Sequence, residues 1–348
     1  MTPYITIFFT ILLSFFNFRV DNQVKKLFSS LFIFILIIFI GLRYEVGGDW
    51  FQYLAMFDQI QNNIFRTDIG YSLINLFSNS LGMGIYGVNF ISALLFLYGL
   101  YTFFDTFKIK YSYGLLISFP YLIMIVSMGY TRQAIALGML MVVYSAIYKK
   151  QLFKSILFFL LAILFHKSAI LGSIVFFTNK NISKKYLVAL LLFIVSILLV
   201  LFTLLQNELL IMWRIYAVDA MKSSGGIIRV GLNILASMLF FIYYSKWIKF
   251  YDDAYIWKLF AYISLAMFIV LLVAGLSTMV DRVMLYFYPL QIIVFSRIVY
   301  LIKNKQLKQI YFLTLITLYS GVLFVWLLFA SHRHSWIPYG NVLEFLFQ

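Results

Sequence analysis

The residues of this chain that could do chemistry gather at a few places. Arg43-Tyr-Glu45-Val-Gly-Gly-Asp49-Trp50-Phe-Gln-Tyr53 sets a cation, two carboxylates, a glycine pair and aromatics directly after the apolar run Leu31 to Leu42. Arg132, followed by Gln133, opens another apolar run, and Asp281-Arg282 repeats the situation further on. A guanidinium is a planar, permanently charged fork that grips carboxylate or phosphate through paired hydrogen bonds, so these arginines point to recognition of an anion. For each one singly, a helix end whose charged head reaches water explains it equally well, and Arg282 also has Asp281 beside it as a neutralising neighbour. His166, in His166-Lys167-Ser168, sits between two short apolar runs. A titratable ring at such a break is a functional candidate, the other reading being a satisfied polar residue.

The elements that must hold these residues are membrane helices. The chain has 348 residues, 64% hydrophobic and 11% charged, with a mean hydropathy of +0.97. That composition excludes a soluble domain and predicts one all-α polytopic membrane domain over residues 1–348. Runs long enough to cross about 30 Å of hydrocarbon fall at 4–18, 27–42, 85–104, 111–128, 133–148, 152–165, 168–178, 186–205, 228–245, 257–277, 283–302 and 310–330, about twelve crossings. The first run has neither a basic leader nor a small-residue cleavage site, so it reads as a retained span. There is no cysteine, which excludes disulfides and thiolate metal sites. The net charge of +15 would suggest nucleic acid in a soluble protein, but here the cations are spread between spans, and no nucleic-acid partner is expected.

Alternate loops carry Lys25/Lys26, Lys108/Lys110, Lys149/Lys150/Lys154, Lys180/Lys184/Lys185, Lys246/Lys249/Lys258 and Lys303/Lys305/Lys308. The positive-inside rule assigns these to the cytoplasm and turns both termini outward. Arg43, Arg66, Arg132, Arg214, Arg229, Arg282 and Arg333 then fall outside. Lysine suffices as a topological signal, so the outer arginines as a set point to recognition. Burying Arg132 at a span's centre would cost about 2.5–3.5 kcal/mol, which demands an anionic partner or a wet cavity.

Two larger outer loops follow, 43–84 and 206–227. In the first, Asp49 with Gln52 fits a capping box that starts a short helix with Trp50, Tyr53, Leu54 and Phe57 on its buried side. A second helix runs from Asp68-Ile-Gly-Tyr71 to Ser80. The aromatics suit an interfacial belt and equally stacking on sugar rings. Residues 152–178 begin and end in lysine-rich segments and are too long for one span, which predicts a hairpin of two short helices with His166 at the turn. The second loop ends in Ser-Ser-Gly-Gly, a hinge before the next span. No repeat, P-loop, dinucleotide fingerprint, metal-ligand spacing or nucleophile elbow occurs. His332-Arg333-His334 has no carboxylate within sequence reach and reads as interfacial.

Taken in order, Arg43-x-x-x-Gly-x-Asp49-Trp-x-x-Tyr53, Asp68-x-Gly-Tyr71, Arg132-Gln133 with His166-x-Ser-Ala169, and Asp281-Arg282-x-x-x-Tyr286 on this scaffold resemble the EpsG family of Wzy-like bacterial polysaccharide polymerases. The resemblance covers most of the chain. It implies a GT-C-like polymerase architecture and a membrane glycosyltransferase of the bacterial inner membrane, with its active site facing the periplasm. Such an enzyme joins undecaprenyl-pyrophosphate-linked oligosaccharides into O-antigen, capsule or exopolysaccharide. Chain-length regulator and flippase proteins are the partners it implies, with membrane lipid around it. On this reading Arg43, Arg132 and Arg282 hold pyrophosphate, and Trp50, Tyr53, Tyr71 and Gln133 line the substrate. His166 is the first candidate for general base or acceptor orientation, with Asp49 and Glu45 behind it. No metal and no cofactor are expected, so fixed guanidinium groups stand in for the cation that many soluble transferases use. The rival is a lipid-linked oligosaccharide flippase, which should carry polar residues through many spans, whereas these spans are nearly free of charge. A membrane acyltransferase, a third reading, would take its donor from the cytoplasm and keep His and Arg on that side.

Overall fold

The computed structural model describes residues 1–16, 21–65, 67–178 and 225–346. The predicted span 186–205, nearly all of the loop 206–227, Lys180, Lys184 and Lys185, and Arg19, Arg66 and Arg214 lie outside them. Helix occupies every other predicted run. In chain order these are α1 (Thr2–Leu13), α2 (Asn22–Gly41), α3 (Trp50–Gln61), α4 (Ile69–Ser80), α5 (Gly84–Thr106), α6 (Tyr111–Gly129), α7 (Thr131–Tyr148) and α8 (Leu152–Phe165). A 3-10 segment, Lys167–Thr178, follows, and after it α9 (Gly226–Ile242), α10 (Tyr244–Phe250), α11 (Ala254–Ala274), α12 (Ser277–Phe287), α13 (Pro289–Leu301) and α14 (Lys305–Phe329).

This is an all-α membrane protein. Among the described residues five helices, α5, α6, α7, α11 and α14, are long and apolar enough to cross a membrane. The bent pairs α9–α10 (73°) and α12–α13 (54°) raise that to seven if each is one span. Helices α1 and α8, the Lys26–Gly41 part of α2 and the 3-10 segment are apolar but shorter. Length alone therefore supports five to seven of the twelve expected crossings.

Hydropathy and burial run in opposite directions along the chain. Helix α6 has a hydropathy of 1.6 and is wholly buried in the protein, while α11 at 2.3 and α14 at 2.2 are only 28% and 22% buried. Lipid rewards apolar surface wherever it is met, so the greasiest helices face outward and the interior tolerates small and polar residues. Helices α5 and α7 meet backbone to backbone: a Cβ on Gly99 would lie 2.0 Å from the Gly138 carbonyl oxygen. That contact brings Asn89 of α5 and Thr131 of α7 to one end of the same seam.

The chain forms two compact units, residues 1–145, 156–169 and 302–348 in the first, and 146–155 and 170–301 in the second. In the first, the C-terminal segment lies over the Arg43 loop. Strand β1 (Arg43–Tyr44) pairs antiparallel with β2 (Gly340–Asn341), Arg43 opposite Asn341 and Tyr44 opposite Gly340. Trp336 is 2% exposed, donates its indole N–H to the Met124 carbonyl at 3.0 Å and accepts from the Tyr4 hydroxyl at 2.8 Å. Met124 lies in a π-helical stretch of α6, Phe119–Val126, that contains Pro120. The Gly47 N–H reaches the Ser335 carbonyl at 2.7 Å and the Val342 N–H reaches that of Leu42 at 2.9 Å. The segment from Ser335 to Val342 is thus a structural strap, while His332, Arg333 and His334 before it are exposed.

In the second unit α9 packs on α11, α12 and α13. A buried ion pair joins Arg297 to Asp253 at 2.6 Å. The guanidinium also lies 4.1 Å from the ring centroid of Tyr251 and 5.4 Å from that of Trp247, and Trp247 donates to the other Asp253 oxygen at 3.1 Å. Both Asp253 oxygens are thereby bonded, one to Arg297 and one to Trp247, as a buried carboxylate requires.

Candidate functional site

Helix α2 ends at Gly41, and the chain turns through Arg43 to Asp49 before α3 begins. Gly47 makes this turn possible. Its φ is +116°, and a Cβ there would stand 2.2 Å from the Met128 carbonyl oxygen, so only glycine lets the loop lie on the end of α6. Arg43 is 1% exposed. Its Nε donates to the Val46 carbonyl at 3.1 Å, Nη1 to that of Ile40 at 2.7 Å, and Nη2 to Asn89 Oδ1 at 2.9 Å and Thr131 Oγ1 at 3.0 Å. Four of the guanidinium's five donors thus hold the protein's own oxygens, and the Trp50 ring closes over it at 5.8 Å. Burial lowers its pKa to about 10, so it stays charged at neutral pH. The geometry makes Arg43 the tie that joins the loop to α5 and α7.

Glu45 is exposed with φ at 52°, a left-handed conformation costly for a residue with a Cβ. Its carboxylate accepts from the Tyr44 hydroxyl and raises that phenol's pKa. Asp49 is half-buried and occupies the N-cap of α3, but its side chain makes no capping hydrogen bond. The helix begins where the sequence predicts it, without the capping box. Its buried stripe is Trp50, Tyr53, Phe57 and Ile60. Leu54, expected on that stripe, is 37% exposed, because a step of four from Trp50 lands on the flank once Tyr53 and Phe57 define the face.

Helix α4 runs from Ile69 to Ser80 with Asp68 at its N-cap, as expected. Asp68 is the anionic partner that Arg132 requires: Arg132 Nη1 lies 2.7 Å from its Oδ2 and 3.1 Å from Thr67 Oγ1. The Arg132 side chain is 26% exposed and that of Asp68 7%. One edge of the guanidinium is therefore fixed while the group still reaches solvent. Burial raises the Asp68 carboxyl above its ordinary range, with Arg132 and the Lys167 N–H, which hydrogen-bonds it, pulling it back. The Tyr53 hydroxyl accepts from the Arg132 backbone N–H at 3.5 Å, and the Tyr53 and Tyr71 rings are 5.4 Å apart. Both phenols are raised by burial. Asp49 acts on Tyr53 through space. Trp50, Tyr53, Tyr71 and Gln133 are 4%, 4%, 0% and 5% exposed; they wall the site rather than project from it.

His166 stands at the break between α8 and the 3-10 segment, the position the hairpin predicts. The Ser168 backbone N–H reaches its Nδ1 at 3.3 Å, and Ser168 Oγ is 2.7 Å from the same nitrogen. A ring nitrogen that accepts from a backbone N–H carries no proton, which assigns the neutral ring's proton to Nε2. In that state Nε2 donates rather than accepts.

Arg282 belongs to the second unit and is exposed. Asp281 takes Arg229 in a two-pronged pair, Nε to Oδ1 at 2.7 Å and Nη2 to Oδ2. Nearby, Gln291 donates to Asn233 Oδ1 at 2.7 Å, and Asn233 to the Met284 carbonyl at 3.3 Å. The sequence reading missed Asp68, Asn89 and Thr131 as partners. The Asp68-x-Gly-Tyr71 signature and the unmet charge of Arg132 were the available signals for the first.

The model of the EpsG family matches residues 26–341 of this chain. No curated protein and no solved structure matches it.

Proposed function

The chain belongs to the EpsG family, which includes Wzy-like polymerases, and from that premise we propose that it polymerises undecaprenyl-pyrophosphate-linked oligosaccharide repeat units at the periplasmic face of the inner membrane. The observation that carries the reading is Arg132, with one guanidinium edge fixed by Asp68 and Thr67 and the group still open to solvent beside the His166 turn. A lipid pyrophosphate leaving group needs such a fixed cation at the membrane edge, preorganised for charge that develops as the bond breaks.

In the proposed step an acceptor hydroxyl on one lipid-linked unit attacks the anomeric carbon of the growing chain. The carbon–oxygen bond to undecaprenyl pyrophosphate breaks, its electron pair stays with the pyrophosphate, and Arg132 takes up the charge. His166 Nε2–H orients the acceptor oxygen or the leaving group, and the acceptor's proton passes to a carboxylate of the Arg43 loop, with Asp49 favoured over Glu45 because its charge is felt at Tyr53, which bonds Arg132. Arg43 positions the loop, and Arg282, which belongs to the second unit, is an anion-binding candidate apart from this step. The topology follows the lysine asymmetry, with both termini outside.

Deleting the gene and resolving cell-surface polysaccharide on a gel tests the reading. Loss of the ladder with a single capped repeat unit remaining is expected. Loss of that unit as well assigns the protein to an earlier step or to translocation and overturns the proposal.

A further inference from the structure

The first turn of α4 is pressed against the end of α8. A Cβ on Gly70 would lie 3.0 Å from the Leu164 carbonyl oxygen and 3.0 Å from the Phe165 ring. This approach, tight for any Cβ, carries Asp68 to the break that holds His166. There its carboxylate accepts the Lys167 backbone N–H while its Oδ2 holds Arg132 Nη1 at 2.7 Å. Asp68 is 7% exposed, so both contacts are made away from bulk water, where a charge-assisted hydrogen bond has most directional force. Thr67, the preceding residue, holds the same Nη1 at 3.1 Å.

We infer that Asp68 is a positioning residue that couples Arg132 to the His166 turn: it fixes which guanidinium edge meets an anion and how His166 stands relative to that edge. The inference rests on Arg132 being the pyrophosphate ligand of the proposed reaction. Its chemistry separates it from a simple counter-ion. A carboxylate that only neutralised Arg132 would weaken anion binding, and removing its charge would strengthen it. A carboxylate that aims the guanidinium does the reverse, because the aim is lost with the charge; misplacing a reacting group by about 1 Å costs on the order of a hundredfold.

The test uses the full-length protein in lipid nanodiscs, with undecaprenyl pyrophosphate as the probe and site-resolved carbethoxylation of His166 as a second readout, His332 and His334 serving as internal references. Asp68→Asn is expected to weaken binding by about tenfold or more and to change His166 reactivity severalfold, with Asp68→Glu between it and the wild type. Gly70→Ala keeps every charge and pushes the α4 turn off α8. It should produce the same His166 change with a smaller loss of binding, and it remains informative if Asp68→Asn does not fold. Equal or tighter binding by Asp68→Asn would make Asp68 a counter-ion and overturn the inference, as would unchanged His166 reactivity in both variants. If the wild-type protein binds no undecaprenyl pyrophosphate, the reading of Arg132 fails and the anion half of the inference fails with it. His166 reactivity still decides the other half.

Discussion

Replacing Arg132 by lysine separates charge from geometry. In the structure Nη1 serves Asp68 and Thr67 and the Tyr53 hydroxyl also bonds the side chain, while the part of the group that still reaches solvent is where the proposal places the leaving group. A lysine ammonium is a single point charge: held by Asp68 it preserves the pair, but it has no second edge to present. Arg132→Lys should therefore fold nearly as well as the wild type and lose one charge-assisted bond to phosphate. That bond is worth about 1.5–3 kcal/mol, so transfer should slow roughly 10- to 150-fold. Arg132→Ala removes the same bond and also leaves Asp68 buried without its cation. Stranding one partner of a fully buried pair costs about 3–5 kcal/mol; with Arg132 26% exposed, about 2 kcal/mol is the reasonable figure. Adding Asp68→Ala should return most of that stability and none of the activity. The assay pairs thermal unfolding in nanodiscs with the release of undecaprenyl pyrophosphate from lipid-linked repeat units. Wild-type transfer by Arg132→Lys would refute the two-edged account, and strictly additive stability losses in the double variant would show that the ion pair does not couple the two residues.

His166→Gln should keep partial activity and His166→Ala almost none, because glutamine supplies an N–H donor but no base; equal loss in both, read from polymer ladders at matched protein levels, would instead make His166 the proton acceptor. Trp336→Ala should destabilise the first unit by about 3–5 kcal/mol, since it empties a buried site and removes the bond to the Met124 carbonyl, and thermal unfolding should show the loss; an unchanged melting temperature would mean that the strap does not hold the Arg43 loop. Asp253→Ala should cost about 3–5 kcal/mol by leaving Arg297 buried and unpaired, while surviving folded protein transfers normally, which activity per folded molecule would check. An alkaline-phosphatase fusion after Gln348 should be active, and an inactive one would invert the topology.

The helices were legible because an apolar run of membrane length has few other fates, and α5, α6, α7, α11 and α14 lie where the runs place them. Their packing was not. Hydropathy does not tell that α6 is enclosed while α11 is mostly uncovered by the described residues, since both satisfy the same criterion and only the contacts between helices decide. The need for a counter-charge at Arg132 was readable from desolvation alone, yet Asp68 lies 64 residues earlier, and nothing local links the two. Asp281 likewise finds a partner the local sequence does not announce, Arg229, 52 residues away. The strap around Trp336 left no mark in the sequence, because it is held by Met124, Tyr4 and Gly47, all more than 200 residues earlier.

The most direct measurement is reconstitution of the purified protein with a lipid-linked repeat unit and no other protein. The account predicts polymer of increasing length with one undecaprenyl pyrophosphate released for each linkage formed, and both products falling in parallel in Arg132→Lys. Movement of the lipid-linked unit across the bilayer with no pyrophosphate released would contradict it.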